Sequence, residues 1–454
     1  MSIFSQNQLA EFHSMMIQSY NDFLEDLRED GPEEETEGLS EDFLEHFKYV
    51  ADSKALNEFS PLKFYWVNLV DNLIYVLQMW QDADEEGLVD FWTESEYSEA
   101  YIDLSNQGDD TLSITSNLMP LLEGQVLGFY HWHLSSLHKA KENPTLYQQV
   151  SDIGDHDLGI RIGEENFIAP PESHNDAPSL PFWSKSFSDK SVSIDDDGGE
   201  LVGGMQELES ISLGDMKINL KGSTPEIDDN ILTYKAKVQK ALEIIQKYSP
   251  DCFNAIKIFT HSLVLVDEPG IVSYSLQSLP GYSNINVKER DEVDLIDDLV
   301  HENGHHVLNA ILNAEELLEE DDDKIFWSPW RNSLRPIRGM YHGYLTFVWA
   351  YQLFKDLRAS KTDFSPTQFE KISLRSIEEY YMLDFCHAQL DYAFKQKKIT
   401  HKGFVIFKQA KDFITKEKDS ITDAENLLSS QSLKQITELK ESLKGAKLKY
   451  LNFL

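Results

Sequence analysis

Residues 291–314 read DEVDLIDDLVHENGHHVLNAILNA, and the fold is best read outward from this stretch. It contains His301-Glu302-Asn303-Gly304-His305, an H-E-x-x-H motif. On a helix a four-residue step is just over one turn and about 6 Å of rise, so both imidazoles leave the same face. One metal ion can then take a nitrogen from each, with Glu302 beside them to handle a proton or orient a ligand. Ile296, Leu299, Val300, Asn303, Val307, Ala310, Ile311 and Ala314 recur at three- and four-residue steps, which predicts a helix with one mostly apolar stripe. Asp294, Asp297 and Asp298 fall in its first turns, where negative charge suits the helix dipole. Gly304 costs such a helix about 1 kcal/mol relative to alanine, which makes sense if something must approach the helix closely beside the metal. The plain alternative is a solvated helix with two surface histidines, and the apolar stripe argues against it.

The chain has 454 residues, enough for two or three domains and a large core. Its 40 Lys and Arg against 79 Asp and Glu leave a net charge of −39. That balance repels nucleic acid and anionic membrane and favours cationic partners or plain solubility. Cys252 and Cys386 cannot build a disulfide framework and suggest a reducing compartment. The start, MSIFSQNQLA, lacks a basic stretch followed by an apolar run, so no signal peptide is read there. Residues 64–80 are apolar but interrupted by Asn68, Asp71 and Asn72, which predicts a core helix and no membrane span. The expected location is cytoplasmic.

Leu9, Phe12, Met16, Tyr20, Phe23, Leu24 and Leu27 form a helical stripe, ended by Gly31-Pro32 and the acidic run at 33–37. Further helical patterns cover 41–50, 61–81, 95–104 and 118–141. The last holds His131, His133 and His138; the first two, two residues apart, diverge on a helix and make no metal pair. Residues 151–226 are rich in Gly, Pro, Asp and Ser, with a hint of two strands around a Gly-Asp turn at 214–215. Asp195, Asp196 and Asp197 lack the twelve-residue loop that calcium would need and read as a solvated turn. A helix is predicted from 227 to 248, stopped by Pro250, then strand-like runs at 255–266 and 271–276 and a short extended segment at 282–287. The expected organisation is a helical N-terminal region (1–150), a loop-rich connector with short strands (151–226) and a metal-binding catalytic domain (227–454). The fold class is α+β, mostly helical, with a zincin-like catalytic half in which a small sheet lies beside the H-E-x-x-H helix and an edge strand can hold an extended peptide.

Two histidines do not close a metal site. The metzincin spacing would place a third at position 311, which is Ile. A thermolysin-type Glu would stand further on than the acidic run at 315–323, which reads as a charged helix end or loop. Residues 326–343, FWSPWRNSLRPIRGMYHG, are more informative. Pro336 suits the first turn of a helix running to about Leu357, and His342, flanked by Gly339 and Gly343, sits early on it. His342 is the candidate third ligand, against the alternative of a core histidine bonded to a carbonyl; Glu302, Glu378, Glu379 and His387 are further candidates. Arg331, Arg335 and Arg338 suit a small dicarboxylate, since a guanidinium fork grips a carboxylate through two hydrogen bonds.

The set His301-Glu302-x-x-His305, Pro329-Trp330-Arg331, Arg335-Pro336 and His342-Gly343 resembles the H-E-x-x-H family of peptide-modification proteins, 2-oxoglutarate-dependent iron peptide β-hydroxylases that act on ribosomally made peptides. The resemblance is clearest over 273–354. It implies Fe(II) held by His301, His305 and His342, 2-oxoglutarate with its far carboxylate on Arg335 or Arg331 ahead of Arg338, O2 as co-substrate, and hydroxylation of a peptide residue at Cβ. Glu302 would orient a ligand or a water. The peptide would lie as an added strand near Ser273, Ser283 and Asn284, and under the resemblance the N-terminal half would hold the substrate's leader segment. Read from pattern alone, a zinc metallopeptidase with Glu302 as general base stands beside this, as does a non-catalytic peptide-binding protein with a degenerate site.

Overall fold

The computed structural model describes residues 3–29, 61–94, 98–119, 209–222, 230–266, 273–275, 280–319, 323–360 and 363–451, with single residues at 122, 227 and 277. The described chain is mostly helical, with one five-stranded mixed sheet and one two-stranded hairpin, an α+β arrangement. The helix expected at 41–50, the histidines at 131–138 and the acidic loop at 195–197 lie outside the described residues. Among the described residues no helix is long and apolar enough to cross a membrane. The chain divides into two compact units, Met1–Met16 with Glu209–Leu454, and Ile17–Leu208.

The second unit is helical where it is described. The first helix, α1 (Gln6–Glu29), starts in the first unit and runs on into the second. Then come α2 (Pro61–Gln81), α3 (Glu85–Glu94) and α4 (Ser98–Gln107). Val70, Leu73, Val76 and Leu77 of α2 are fully buried, so the apolar run at 64–80 is indeed a core helix. Its Asn68 donates to the Tyr20 hydroxyl at 3.0 Å. Buried Trp92 directs its indole N–H to Thr115 at 2.9 Å, the partner a buried indole needs.

The first unit holds the H-E-x-x-H stretch. Strands β1 (Glu209–Leu213) and β2 (Met216–Gly222) form a hairpin turned by Gly214, whose φ of +65° is a conformation glycine adopts without strain. Helix α5 (Ile231–Tyr248) follows, and Ser249 ends it with a non-helical backbone. Pro250, expected only to stop a helix, also opens the next one, α6 (Pro250–Phe259). This corrects the strand expected at 255–266. Cys252, Phe253, Ala255, Ile256 and Phe259 are all buried on α6, and their three- and four-residue steps are those of a helix face; the strand begins only at Ser262.

From there run β3 (Ser262–Val266), β4 (Tyr274–Ser275), β5 (Tyr282–Asn286) and the central helix α7 (Glu292–Ala314). The sheet order is β1-β2-β3-β5-β4, with β2, β3 and β5 parallel and the two outer strands antiparallel. In that register Ile218, Leu220, Leu263, Leu265 and Ile285 share one buried apolar face, and Ser275 and Ser283 lie on the same face. Helix α7 packs there, because those two serines bond to its side chains.

Beyond α7 a hairpin of β6 (Phe326–Ser328) and β7 (Ser333–Arg335) leads into α8 (Ile337–Arg358), and α9 (Pro366–Lys395) packs along α8. Pro336, expected in the first turn of α8, stands one position earlier, at its N-cap. Helices α10 (His401–Thr415), α11 (Lys418–Glu425) and α12 (Ser430–Tyr450) complete the unit. Part of the acidic stretch after α7 is tied down: Leu318 bridges to Ile399. A Cβ on Gly403 would meet the Leu317 carbonyl oxygen at 2.2 Å, so only glycine fits there.

Candidate metal centre

Helix α7 is started by Asp291, whose carboxylate accepts the backbone N–H groups of Val293 and Asp294 at 2.9 Å each. Its middle is fixed on every side. Asn303 accepts from Thr260, at the end of α6, at 2.9 Å. His306 Nδ1 accepts from Gly281 N–H at 3.3 Å, so Nε2 carries the proton and donates to Ser283 Oγ at 2.9 Å. At Gly304 a Cβ would stand 3.2 Å from the Trp349 ring and 3.5 Å from the Thr346 Cα, both on α8. The close approach that Gly304 suggested is therefore that of α8, the helix carrying His342.

The two motif histidines face one another, with Nε2 of His301 3.2 Å from Nε2 of His305. His305 turns its other nitrogen to His342, Nδ1 to Nε2 at 2.5 Å, so three rings meet around one edge of His305. Burial pushes all three pKa values down, His305 well below the usual histidine range and His342 to about 4. Next to burial, the neighbouring rings lower His305 further, Arg331 acts on His301 and His305, and Arg338 acts on His342. Neutral imidazole is the metal-binding form. Nitrogens bound at about 2.0–2.1 Å to one ion sit roughly 3 Å apart, the spacing that His301 and His305 already have. With His301 and His305 the Glu302 carboxylate forms a group whose ligand atoms lie within 4.8 Å of one another and which could hold a metal ion; His342, on the other nitrogen of His305, stands outside it. This donor set fits a borderline divalent ion such as iron or zinc.

Glu302 is buried at 2 % exposure and accepts from Ser275 Oγ at 2.7 Å. Burial raises its pKa to about 8, against the opposing effect of the serine hydrogen bond. One turn earlier, Asp298 accepts from Ser273 Oγ at 2.6 Å and from Arg290 at 2.7 Å. Strand β4 is thus fastened to α7 by two hydroxyl–carboxylate bonds.

Of the residues singled out in the sequence, His301, His305 and His342 are brought together and Glu302 lies beside them. Ser283 and Asn284 are buried on β5, an interior strand, and Ser273 is buried at the start of β4 with its hydroxyl on Asp298. Glu379 is outside the close group of His301, Glu302 and His305: it is buried, accepts from Trp330 Nε1 at 2.9 Å, and burial raises its pKa to about 8 despite the Arg375 guanidinium beside it. Glu378 also titrates above the usual range because it is buried. His387 has partners on both nitrogens, Tyr344 at 2.9 Å and Asp384 at 3.4 Å. Arg331, Arg335 and Arg338 are exposed, and among the described residues none is paired with a carboxylate.

The sequence reading missed a support around His301. Trp330, at the turn of the β6–β7 hairpin, stacks on Phe347 at 4.3 Å and 1°, and Phe347 packs on His301 at 4.6 Å. Behind them Arg375 pairs with Asp297 at 2.5 Å. A basic residue four before Glu379 on the buried stripe of α9 was the available signal. His306, Ser275 and Asn303 were also missed as anchors; each needs a partner far away in sequence to be recognised. A scan of the chain against protein-family models finds no match, and a search of curated proteins finds none either.

Proposed function

We propose that His301, His305 and His342 hold Fe(II), and that the chain is a 2-oxoglutarate-dependent oxygenase that hydroxylates a residue of a ribosomally made peptide at Cβ. The observation carrying this reading is the convergence of three neutral imidazoles at 3.2 and 2.5 Å beside arginines that have no carboxylate of their own. The mixed sheet with its outermost strand β4 beside the H-E-x-x-H helix supports a zincin-like layout for this half. When bound, iron with 2-oxoglutarate and O2 supplies the oxidising chemistry. The chain's residues do the rest. Arg331, which acts on both motif histidines, grips the far carboxylate of the dicarboxylate, and this favours it over Arg335. Phe347 and Trp330 shut water out from one side of His301. Glu302 is held by Ser275 beside the two motif histidines, where it can orient a bound ligand or a water. The peptide lies along β4.

One observation favours a second reading, a zinc metallopeptidase: the Glu302 carboxylate belongs to the same close group as His301 and His305. There Glu302 would act as general base on a zinc-bound water. Glu302→Gln separates the two, because it removes the base that hydrolysis needs, while a glutamine amide can still donate to a bound ligand.

The test is anaerobic reconstitution with Fe(II), then addition of 2-oxoglutarate and air, following succinate. Succinate is expected from the native chain and is expected to vanish in His342→Ala and Arg331→Ala. Absence of succinate, together with co-purifying zinc and cleavage of a mixed peptide pool, would transfer the assignment to the peptidase.

A further inference from the structure

The chain carries about twice as many carboxylates as cations, 79 against 40, and three of its other arginines have partners. Arg290 pairs with Asp298, Arg375 with Asp297, and Arg358 donates to Ser420. Arg331, Arg335 and Arg338 stand without a carboxylate among the described residues. Arg331 and Arg338 lie within electrostatic reach of different parts of the histidine cluster. Arg331 comes from the β6–β7 hairpin and acts on His301 and His305. Arg338 lies on α8, one turn before His342 on the same face, and acts on that ring. Its Nη2 donates to Gln277 Oε1 at 3.3 Å. Gln277 is two residues past the end of β4, so Arg338, one helical turn before His342, reaches the segment that follows the outermost strand of the sheet. Tyr274 on β4 is 38 % exposed. Two separate anionic groups can therefore be met at once, one on the hairpin side and one on the β4 side.

We propose that Arg338 reads a carboxylate of the peptide substrate, next to the residue presented to the metal, and so selects acidic peptides. This rests on the reading that the site's ligand is a peptide laid along β4, with Arg331 taking the co-substrate. A guanidinium fork matches a carboxylate through two charge-assisted hydrogen bonds and gives an amide much less. The preference runs against the long-range field, because a chain of net charge −39 repels acidic peptides. Only a local cation can reverse it.

The test is capture on immobilised full-length protein loaded with Fe(II) and 2-oxoglutarate under argon. Three pools of random dodecapeptides are offered, all built from uncharged residues. One has a central Asp and an amidated C-terminus, one a central Asn and an amidated C-terminus, and one a central Asn and a free C-terminus. Mass spectrometry reads what is retained. Retention of the Asp pool about tenfold over the amidated Asn pool is expected for the native chain. Preference for the free-terminus pool instead identifies the carboxylate as the C-terminal one, and still supports the proposal. Arg338→Gln should abolish the preference and Arg338→Lys should keep part of it. Equal retention of the three pools overturns the proposal, as does a preference that survives Arg338→Gln. Capture is read without turnover, so its failure is distinct from failure of the oxygenase reading, which shows as absent succinate.

Discussion

At the scale of single residues, the positions most sensitive to change are those where a backbone or a buried charge leaves no room. Gly403 faces the Leu317 carbonyl at a distance no side chain tolerates. Gly403→Ala should destabilise the first unit by roughly 1–3 kcal/mol, read as a lower melting temperature, because a backbone has to move. Ser275→Ala strips a buried carboxyl of its partner and should cost about 1–3 kcal/mol in chemical unfolding. His13 gives a pH signature. Its ring lies edge-on to Phe259 at 5.4 Å, and burial pushes its pKa down to about 4. The unfolded chain takes up that proton near pH 6.5, well before the folded one does. The stability His13 contributes is therefore full above about pH 6.5 and is lost as pH falls toward 4. His13→Gln should lose less melting temperature than the native chain between pH 7 and pH 5; an identical decline would contradict the assignment. What was legible at this scale follows from local spacing. His301 and His305 were found because a four-residue step has geometric meaning, and His342 because glycines flank it. Asp297 and Arg375 were not, since their pairing joins positions 78 residues apart that no local rule connects.

At the scale of elements, the β6–β7 hairpin is the part with the most to do. Gln389 on α9 fastens it by accepting from Trp327 N–H at 2.8 Å and donating to Trp327 C=O at 3.1 Å. Trp330 fastens its turn through the Phe347 stack and the bond to Glu379. Arg331 is the next residue, so its placement depends on both. Trp330→Leu should leave metal content unchanged by elemental analysis while weakening 2-oxoglutarate binding by about tenfold in a titration. Loss of metal as well would mean that the hairpin supports His301 itself. Helices α7 and α8 could be read in advance because apolar periodicity and a proline mark them. Helix α6 could not: its ten residues run directly into a strand, and an apolar stretch that short has no decisive period.

At the scale of the whole molecule, the two compact units and the net charge set the behaviour. All the histidines of the candidate centre belong to the unit of Met1–Met16 and Glu209–Leu454. Calorimetry on the chelator-stripped chain should show that added Fe(II) or Zn(II) raises one transition and leaves the other in place, since a bound ion stabilises only the unit that holds it. Sodium chloride should raise melting temperatures between low and physiological salt, because screening relieves the self-repulsion of a chain at −39. Composition made that second expectation available at once, whereas the division into units depended on long-range packing that composition does not encode. The crowding around α7 carries a consequence for the protein's history. From Asp297 to His306 its side chains serve α9, β4, β5, the end of α6, α8 and the imidazole cluster. A substitution in that decade of residues damages at least one of these at once. A saturation scan should therefore find a narrow trough of intolerance there within a permissive landscape, so that descendants of this chain can drift almost everywhere else and still keep these ten letters.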